Sequence, residues 1–209
     1  MEDMTHVAGA VADVLKTYGR DRLELEFRLG HRSRAGTFVP GVPEPQWTRL
    51  KRALDASTTI EKPTFTKARE RIAGDGSGAK FVQATGTTQG YLMHKKRVRD
   101  VDVDLGTWCC RASMSLEVMD STKQPFKNQF KYERHKQRWS YRYKCWSIDV
   151  TTVTSNLPHQ LDNDGMSYEV EIELVDTSVF FTVPMAVLVE WGLQLARDMC
   201  ALMKVSTTC

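Results

Sequence analysis

The chain has 209 residues, 41% hydrophobic and 26% charged, which suits one soluble domain with a sizeable core. The formal net charge of +3 is too mild to predict a nucleic-acid binder from bulk charge alone. Five cysteines without CxxC spacing and five scattered histidines argue against a zinc site or a disulfide framework, and point to a reducing compartment. No apolar run reaches the length of a membrane span and no signal-peptide core is present, so the protein is expected to be intracellular with no membrane partner.

From Thr5 to Tyr18, Val7, Ala10, Val11, Val14 and Leu15 recur at helical spacing, and Gly19 closes the helix. Leu23–Gly30 then alternates, with Glu24, Glu26 and Arg28 on one face of a strand. Gly30–Pro45 is rich in Gly, Pro and Arg and is expected to be a loop. Glu44–Ala56 reads as a second helix, with Trp47, Leu50 and Leu54 on one side and Pro45 in its first turn.

Thr58–Ile72 suggests strands, with Pro63 at an edge or bulge. Gly74–Gly78 is a glycine-rich loop without the GxxxxGK[ST] pattern of a nucleotide P-loop. Phe81–Arg99 is expected to hold a hairpin turning at Gly86–Gly90. Its Lys95-Lys96-Arg97 cluster looks like a nuclear localisation signal but lies in an expected strand, where a lumen or rim role fits better.

Cys110–Val118 alternates, placing Arg111, Ser113, Ser115 and Glu117 together on one face. Asp120–Gln124 is polar and Pro125 ends the stretch. Gln129–Lys144, the greater part of a basic cluster beginning at Lys127, is a long alternating run with Arg134, Lys136 and Arg138 on one face and His135 on the other, where it is inert. Trp146–Thr154 is another strand, followed by a polar loop over Asn156–Gly165. Tyr168–Leu174 has the strictest period of all, with Glu169, Glu171 and Glu173 on one face and Val170, Ile172 and Leu174 on the other. Like charges in such a row repel at roughly 1 to 4 kcal/mol per pair at contact range, so cations are expected opposite. Val183–Val205 closes the chain as a long helix whose stripe (Val187, Leu188, Trp191, Leu195, Met199, Leu202) reads as core.

About eight mostly consecutive strands against three helices favour an α+β, mainly antiparallel fold. Charged faces on the strands and amphipathic helices at both ends are reconciled by a closed eight-stranded β-barrel, charged inside and with the helices packed outside.

These residues resemble the triphosphate tunnel metalloenzymes, and within them the metal-dependent RNA 5′-triphosphatases of fungal, protozoan and large-DNA-virus mRNA capping. Leu23–Gly30 is similar to the family's first glutamate strand, with Arg28 where many members carry Lys. Arg111–Glu117 resembles its RxSxSLE strand, Glu133–Tyr141 its ERxKxRxSY strand, Ile148–Thr151 its IDxT segment and Tyr168–Leu174 its ExExE strand. The resemblance implies a single tunnel domain over 1–209 that removes the γ-phosphate from 5′-triphosphate-ended RNA. It implies that Glu24, Glu26 and Glu173 hold Mg²⁺ or Mn²⁺, that Arg134, Lys136, Arg138 and either Arg97 or Arg99 grip phosphates, and that Glu171 and Glu117 orient and deprotonate the attacking water. Arg97 and Arg99 are expected to share a face, and the sequence does not separate them. Glu169, Asp149 and Thr151 would hold the basic side chains in place, and Arg28 is a phosphate contact or a salt-bridge partner of the glutamates.

NTP or inorganic triphosphate are implied as alternative substrates, and a guanylyltransferase as a possible partner. A nucleus, a viral factory or a virion would be the setting. Two other readings stand beside this one: a small-molecule tripolyphosphatase or thiamine triphosphatase of the same superfamily, and a non-catalytic polyphosphate- or RNA-end-binding module. The cysteine-phosphatase route is disfavoured, because no HCx₅R occurs around Cys109 and Cys110.

Overall fold

Period-two polarity is what closes this chain into a ring. The computed structural model describes residues 2–74, 77–121, 130–156 and 165–204. Three expectations fall wholly or partly outside them: the polar stretch running to Pro125, the loop 156–165, and the chain end from Val205 to Cys209. So do Asp75 and Gly76 of the glycine-rich loop. The described order is α1 (Glu2–Tyr18), β1 (Leu23–Arg32), β2 (Phe38–Pro40), α2 (Glu44–Ala56), β3 (Thr64–Ala73), β4 (Ala79–Ala84), β5 (Gly90–Asp104), β6 (Cys109–Asp120), β7 (Phe130–Tyr143), β8 (Trp146–Ser155), β9 (Met166–Leu174), a 3-10 turn (Thr177–Phe181) and α3 (Met185–Met203).

Eight strands pair in the order β1-β6-β5-β4-β3-β7-β8-β9, and β9 pairs back onto β1 to close the barrel. Every pairing is antiparallel. Closure leaves no open edge, which lets the strands bury polar faces without exposing unpaired backbone inside. The short β2 lies outside the ring, paired to the end of β1 beyond the segment that meets β9. It corrects the expectation that Gly30–Pro45 is all loop: Thr37 N–H donates to the Ser33 side chain and turns the chain back onto β1. Pro63 sits directly before β3, where its missing N–H costs the ladder nothing.

The hydrophobic core lies outside the barrel. Leu25, Phe27 and Leu29 of β1, Ala112 and Met114 of β6, Ile148 and Val150 of β8 and Val170 and Ile172 of β9 are all buried beneath the three helices. α1 covers β5 and β6, while α2 and α3 reach β9. Across the ring β3 carries no such cover, and its outward residues Phe65 and Lys67 are exposed.

In α3 the buried face differs from the expected stripe. Leu188, Val189, Gly192, Leu193, Ala196, Met199, Cys200 and Met203 face inward, whereas Trp191 and Leu202 are each 40% exposed. The physical reason is Gly192, which packs against the Phe27 ring so closely that a Cβ there would collide with it. A glycine carries no weight in a hydrophobic pattern, so the stripe drawn through Trp191 is turned from the true contact line.

Candidate active site

The inward faces of the strands enclose a cavity of about 440 Å³ lined mainly by charged groups. Register builds it. Glu26 pairs with Glu173 and Arg28 with Glu171 across the closing β1–β9 seam, while Glu24 and Glu26 stand opposite Ser115 and Ser113 on β6. Thirteen of the fourteen side chains singled out in the sequence fall on this interior face or behind its guanidinium groups. Glu24, Glu26, Glu117, Glu169, Glu171, Glu173, Arg28, Arg97, Arg134, Lys136 and Arg138 line the lumen. Asp149 and Thr151 are buried beside Arg138.

Arg99 is the exception, and the expectation that it shares a face with Arg97 is corrected. A bulge between the two residues reverses the alternation: Arg97 pairs with Ser115 of the lumen face, and Arg99 with Met114 of the outer face. Arg99 therefore leaves the barrel and lies 3.4 Å from Asp13 of α1. His135 points outward, 2.8 Å from Glu133.

Two walls of opposite character face each other. On one, Glu24, Glu26, Glu117 and Glu173 gather around few cations: the Lys95 ammonium touches Glu24 and lies 3.6 Å from Glu26 and 3.5 Å from Glu117, and Arg28 lies 4.0 Å from Glu26. On the other, Lys80, Lys136 and Arg134 lie 3.1, 3.5 and 3.9 Å from one carboxylate, Glu70. Between the walls, Arg138 is fixed by Asp149 at 2.8 Å, by Glu171 at 2.9 Å and by Thr151 Oγ1, to which its Nε donates at 3.2 Å. Arg134 donates to Glu169 at 2.7 Å, and Arg28 meets Glu171 at 3.2 Å.

A closed antiparallel barrel with an ion-paired, two-signed lumen is the architecture that the sequence resemblance implies, and known proteins decide the family. The profile described as "mRNA capping enzyme, beta chain" matches residues 82–201. The chain is 30% identical over 188 residues to the 5′RNA triphosphatase A449R of Paramecium bursaria Chlorella virus 1, covering 90% of this chain and 93% of that protein. It belongs to the mRNA-capping RNA triphosphatases of the triphosphate tunnel family.

Two solved structures share the fold of this RNA triphosphatase. The S. pombe Pct1 RNA triphosphatase superposes with a TM-score of 0.76 at 16% identity, covering 94% of this chain and 91% of that one. The RNA triphosphatase domain of the mimivirus capping enzyme superposes with a TM-score of 0.58 at 15% identity, covering 95% and 96%.

The electrostatics of the triphosphatase walls follow their composition. Burial, with Glu171 nearby, pushes the Glu26 carboxyl up to about 7 despite Lys95. Burial, Glu24 and Asp149 push Glu173 up to about 8. Across the lumen, burial would raise Glu70 as well, but Lys136, Lys80 and Arg134 override it and hold Glu70 at about 2. Burial lowers the Lys136 ammonium despite Glu70. Glu171 is likewise buried, yet Arg138 and Arg28 keep it well below the ordinary carboxylate range.

The carboxylate wall fits a hard divalent cation in chemistry. Its donors are all carboxylate oxygen, the set preferred by Mg²⁺ and Mn²⁺. Among the described residues Glu173 has no ion-pair partner, and raised carboxyl groups at Glu26 and Glu173 mark a cluster short of positive charge. Among those residues no three ligating side chains are already drawn together around one point. The Lys95 ammonium stands among them instead.

Four titratable lumen residues carry no assigned role in the sequence reading. Glu70 and Lys80 gave no signal, since charges fall on both faces of Thr64–Ala73 and β4 is only six residues long. Lys95 was assigned only a general lumen or rim position, although counting by two from Arg97 places it inside. Tyr91 lines the lumen near Lys80 and Glu70, and burial raises its hydroxyl.

Proposed function

We propose that this tunnel removes the γ-phosphate from the 5′-triphosphate end of nascent RNA, the first step of cap formation, with 1–209 acting as one tunnel domain. The observation that carries the reading is the pairing of a cation-poor carboxylate wall with a cation-rich wall inside one closed lumen of about 440 Å³. A triphosphate end brings the multiple negative charges that the second wall seeks. It also brings the oxygens that would complete a divalent ion held on the first.

The chain's own groups divide the work. Lys136 and Arg138 hold the γ-phosphate oxygens, and Arg134, Lys80 and Arg97 hold the rest of the phosphate chain. Arg138 needs no reorganisation to do so, because Asp149, Glu171 and Thr151 already fix its guanidinium. Glu169 performs the same service for Arg134. Glu24, Glu26 and Glu173 would hold Mg²⁺ or Mn²⁺. The chemistry such an ion supplies is neutralisation of phosphate charge and activation of water.

Water attacks the γ-phosphorus, the bond to the bridging oxygen breaks, and a diphosphate end leaves. Of the two candidate bases, Glu171 is pinned between two guanidinium groups that suppress its affinity for a proton, so it orients the water and anchors Arg138. Glu117, which among the described residues is ion-paired with Lys95, takes the proton-accepting role.

A second reading, hydrolysis of NTP or inorganic triphosphate, draws support from the lumen lining: among the described residues it is mainly phosphate- and metal-type groups, with Tyr91 its one aromatic side chain. No described helix is long and apolar enough to cross a membrane. The test is release of γ-labelled phosphate from triphosphate-ended RNA, set against NTP and inorganic triphosphate, with and without Mg²⁺ and with chelator. Metal-dependent release from RNA is expected. Equal release in chelator overturns the metal assignment, and release from the small substrates alone overturns the RNA assignment.

A further inference from the structure

The two acidic rungs of β1 are bridged by a residue two strands away. Lys95 belongs to β5 and pairs directly with Glu117 of β6, yet its ammonium reaches past β6 to Glu24 and Glu26 on β1. That reach crosses about two strand spacings, roughly 10 Å. It is open because the β6 residues facing the glutamates are the small Ser113 and Ser115. Both serines are fully buried, and among the described residues their hydroxyls have no hydrogen-bond partner.

On the reading above, Glu24 and Glu26 are also two of the three carboxylates that would hold the divalent ion. An ammonium and a divalent ion cannot both take the same oxygens. We infer that Lys95 is a resident counter-cation of the Glu24–Glu26 pair, one that the divalent ion must displace, and that it thereby sets the affinity and the reversibility of the metal site. The displaced ammonium keeps an anchor, because Glu117 lies directly opposite its own backbone position. The serines matter to the same device. Larger side chains at 113 or 115 would close the path that the lysine takes across β6.

Lys95 is thus a positioning residue. Without metal it keeps mutually repelling carboxylates gathered at the seam, and with metal it yields them. The inference rests on the assignment of Glu24, Glu26 and Glu173 as the metal set, and its test separates the two. Mn²⁺ is titrated calorimetrically into the intact wild-type protein and into K95M, without substrate. Removing the competitor should tighten Mn²⁺ binding roughly tenfold, the usual scale of coupling between two such sites. Thermal melts should show a larger Mn²⁺-induced rise in Tm for K95M than for wild type. K95R, which keeps the charge, should bind Mn²⁺ within about threefold of wild type. Should metal-free K95M unfold, Mn²⁺ should restore its folded circular dichroism spectrum.

Equal or weaker binding by K95M overturns the inference while leaving the metal assignment standing, and so does failure of Mn²⁺ to restore an unfolded K95M. Absence of Mn²⁺ binding in both proteins overturns the metal assignment and this inference with it.

Discussion

The two walls of the lumen hold the same kinds of side chain in opposite proportion. On the β1–β6–β9 side, Lys95 is the close cation of three carboxylates, Glu24, Glu26 and Glu117, and the carboxyl groups of Glu26 and Glu173 are driven up towards neutrality. On the β3–β4–β7 side, three cations surround Glu70, which is driven down to about 2. Burial is common to both walls, so burial cannot explain the opposite shifts; the local ratio of cations to anions does. A lumen left unbalanced in both senses is poorly solvated until something dicationic meets one wall and something polyanionic meets the other. On the function proposed above, that complementarity suits the site to a triphosphate end.

The largest expected effect comes from breaking the acidic wall. Glu26→Ala or Glu173→Ala should cut Mg²⁺-dependent γ-phosphate release by about a thousandfold or more while leaving the circular dichroism spectrum intact. Near-wild-type turnover in either variant would remove the metal assignment.

On the basic wall, Lys136→Ala should lose about a hundredfold in kcat, whereas His135→Ala, on the outer face of the same strand, should stay within about twofold. Comparable losses in the two variants would mean that the register of β7 is misread.

The bulge in β5 sharpens the comparison. Arg97→Ala should raise KM about tenfold, since Arg97 lines the lumen. Arg99→Ala should leave KM unchanged and cost at most about 1 kcal/mol of stability, because its pair with Asp13 is exposed. Equal KM effects would place both arginines on one side of the sheet.

A separate effect is the pH dependence of stability that Glu70 gives to the basic wall. Because the folded Glu70 carboxyl lies near 2, below its ordinary value of 4.5, it contributes stability above pH 4.5 that is lost as pH falls towards 2. A displacement of that size corresponds to about 3 kcal/mol. Denaturant unfolding of wild type and Glu70→Gln between pH 6 and 2.5 should show the difference shrinking on acidification. A constant difference would mean that Glu70 is not charged in the folded protein.

Much of this was legible in the chain itself. The alternation of Glu169, Glu171 and Glu173 with Val170, Ile172 and Leu174 declares both the strand and its two faces, and Leu23–Gly30 and Arg134–Arg138 do the same. Glu44–Ala56 was legible to the residue, because a proline in its first turn and Trp47, Leu50 and Leu54 mark one helix face. Illegibility had specific causes. A glycine carries no hydrophobic weight, so the true contact line of α3 through Gly192 stayed hidden. One extra residue in β5 reverses every later side chain, so Arg99 was placed with Arg97. β3 carries charge on both faces, which left Glu70 unmarked.

The order of residues along the chain determined that charged and apolar groups lie on opposite faces of most strands. A chain of that kind must close into an inside-out ring, because only closure buries polar faces with their partners. It did not determine which strands would be neighbours. That β9 returns to β1, uniting Glu173 with Glu26, and that β3 lies against β7, giving Glu70 its cations, was decided in three dimensions. So was the reach of Lys95 across two serines. Such pairings join residues far apart in sequence, and their energies come from proximity, burial and charge balance, none of which a local pattern encodes.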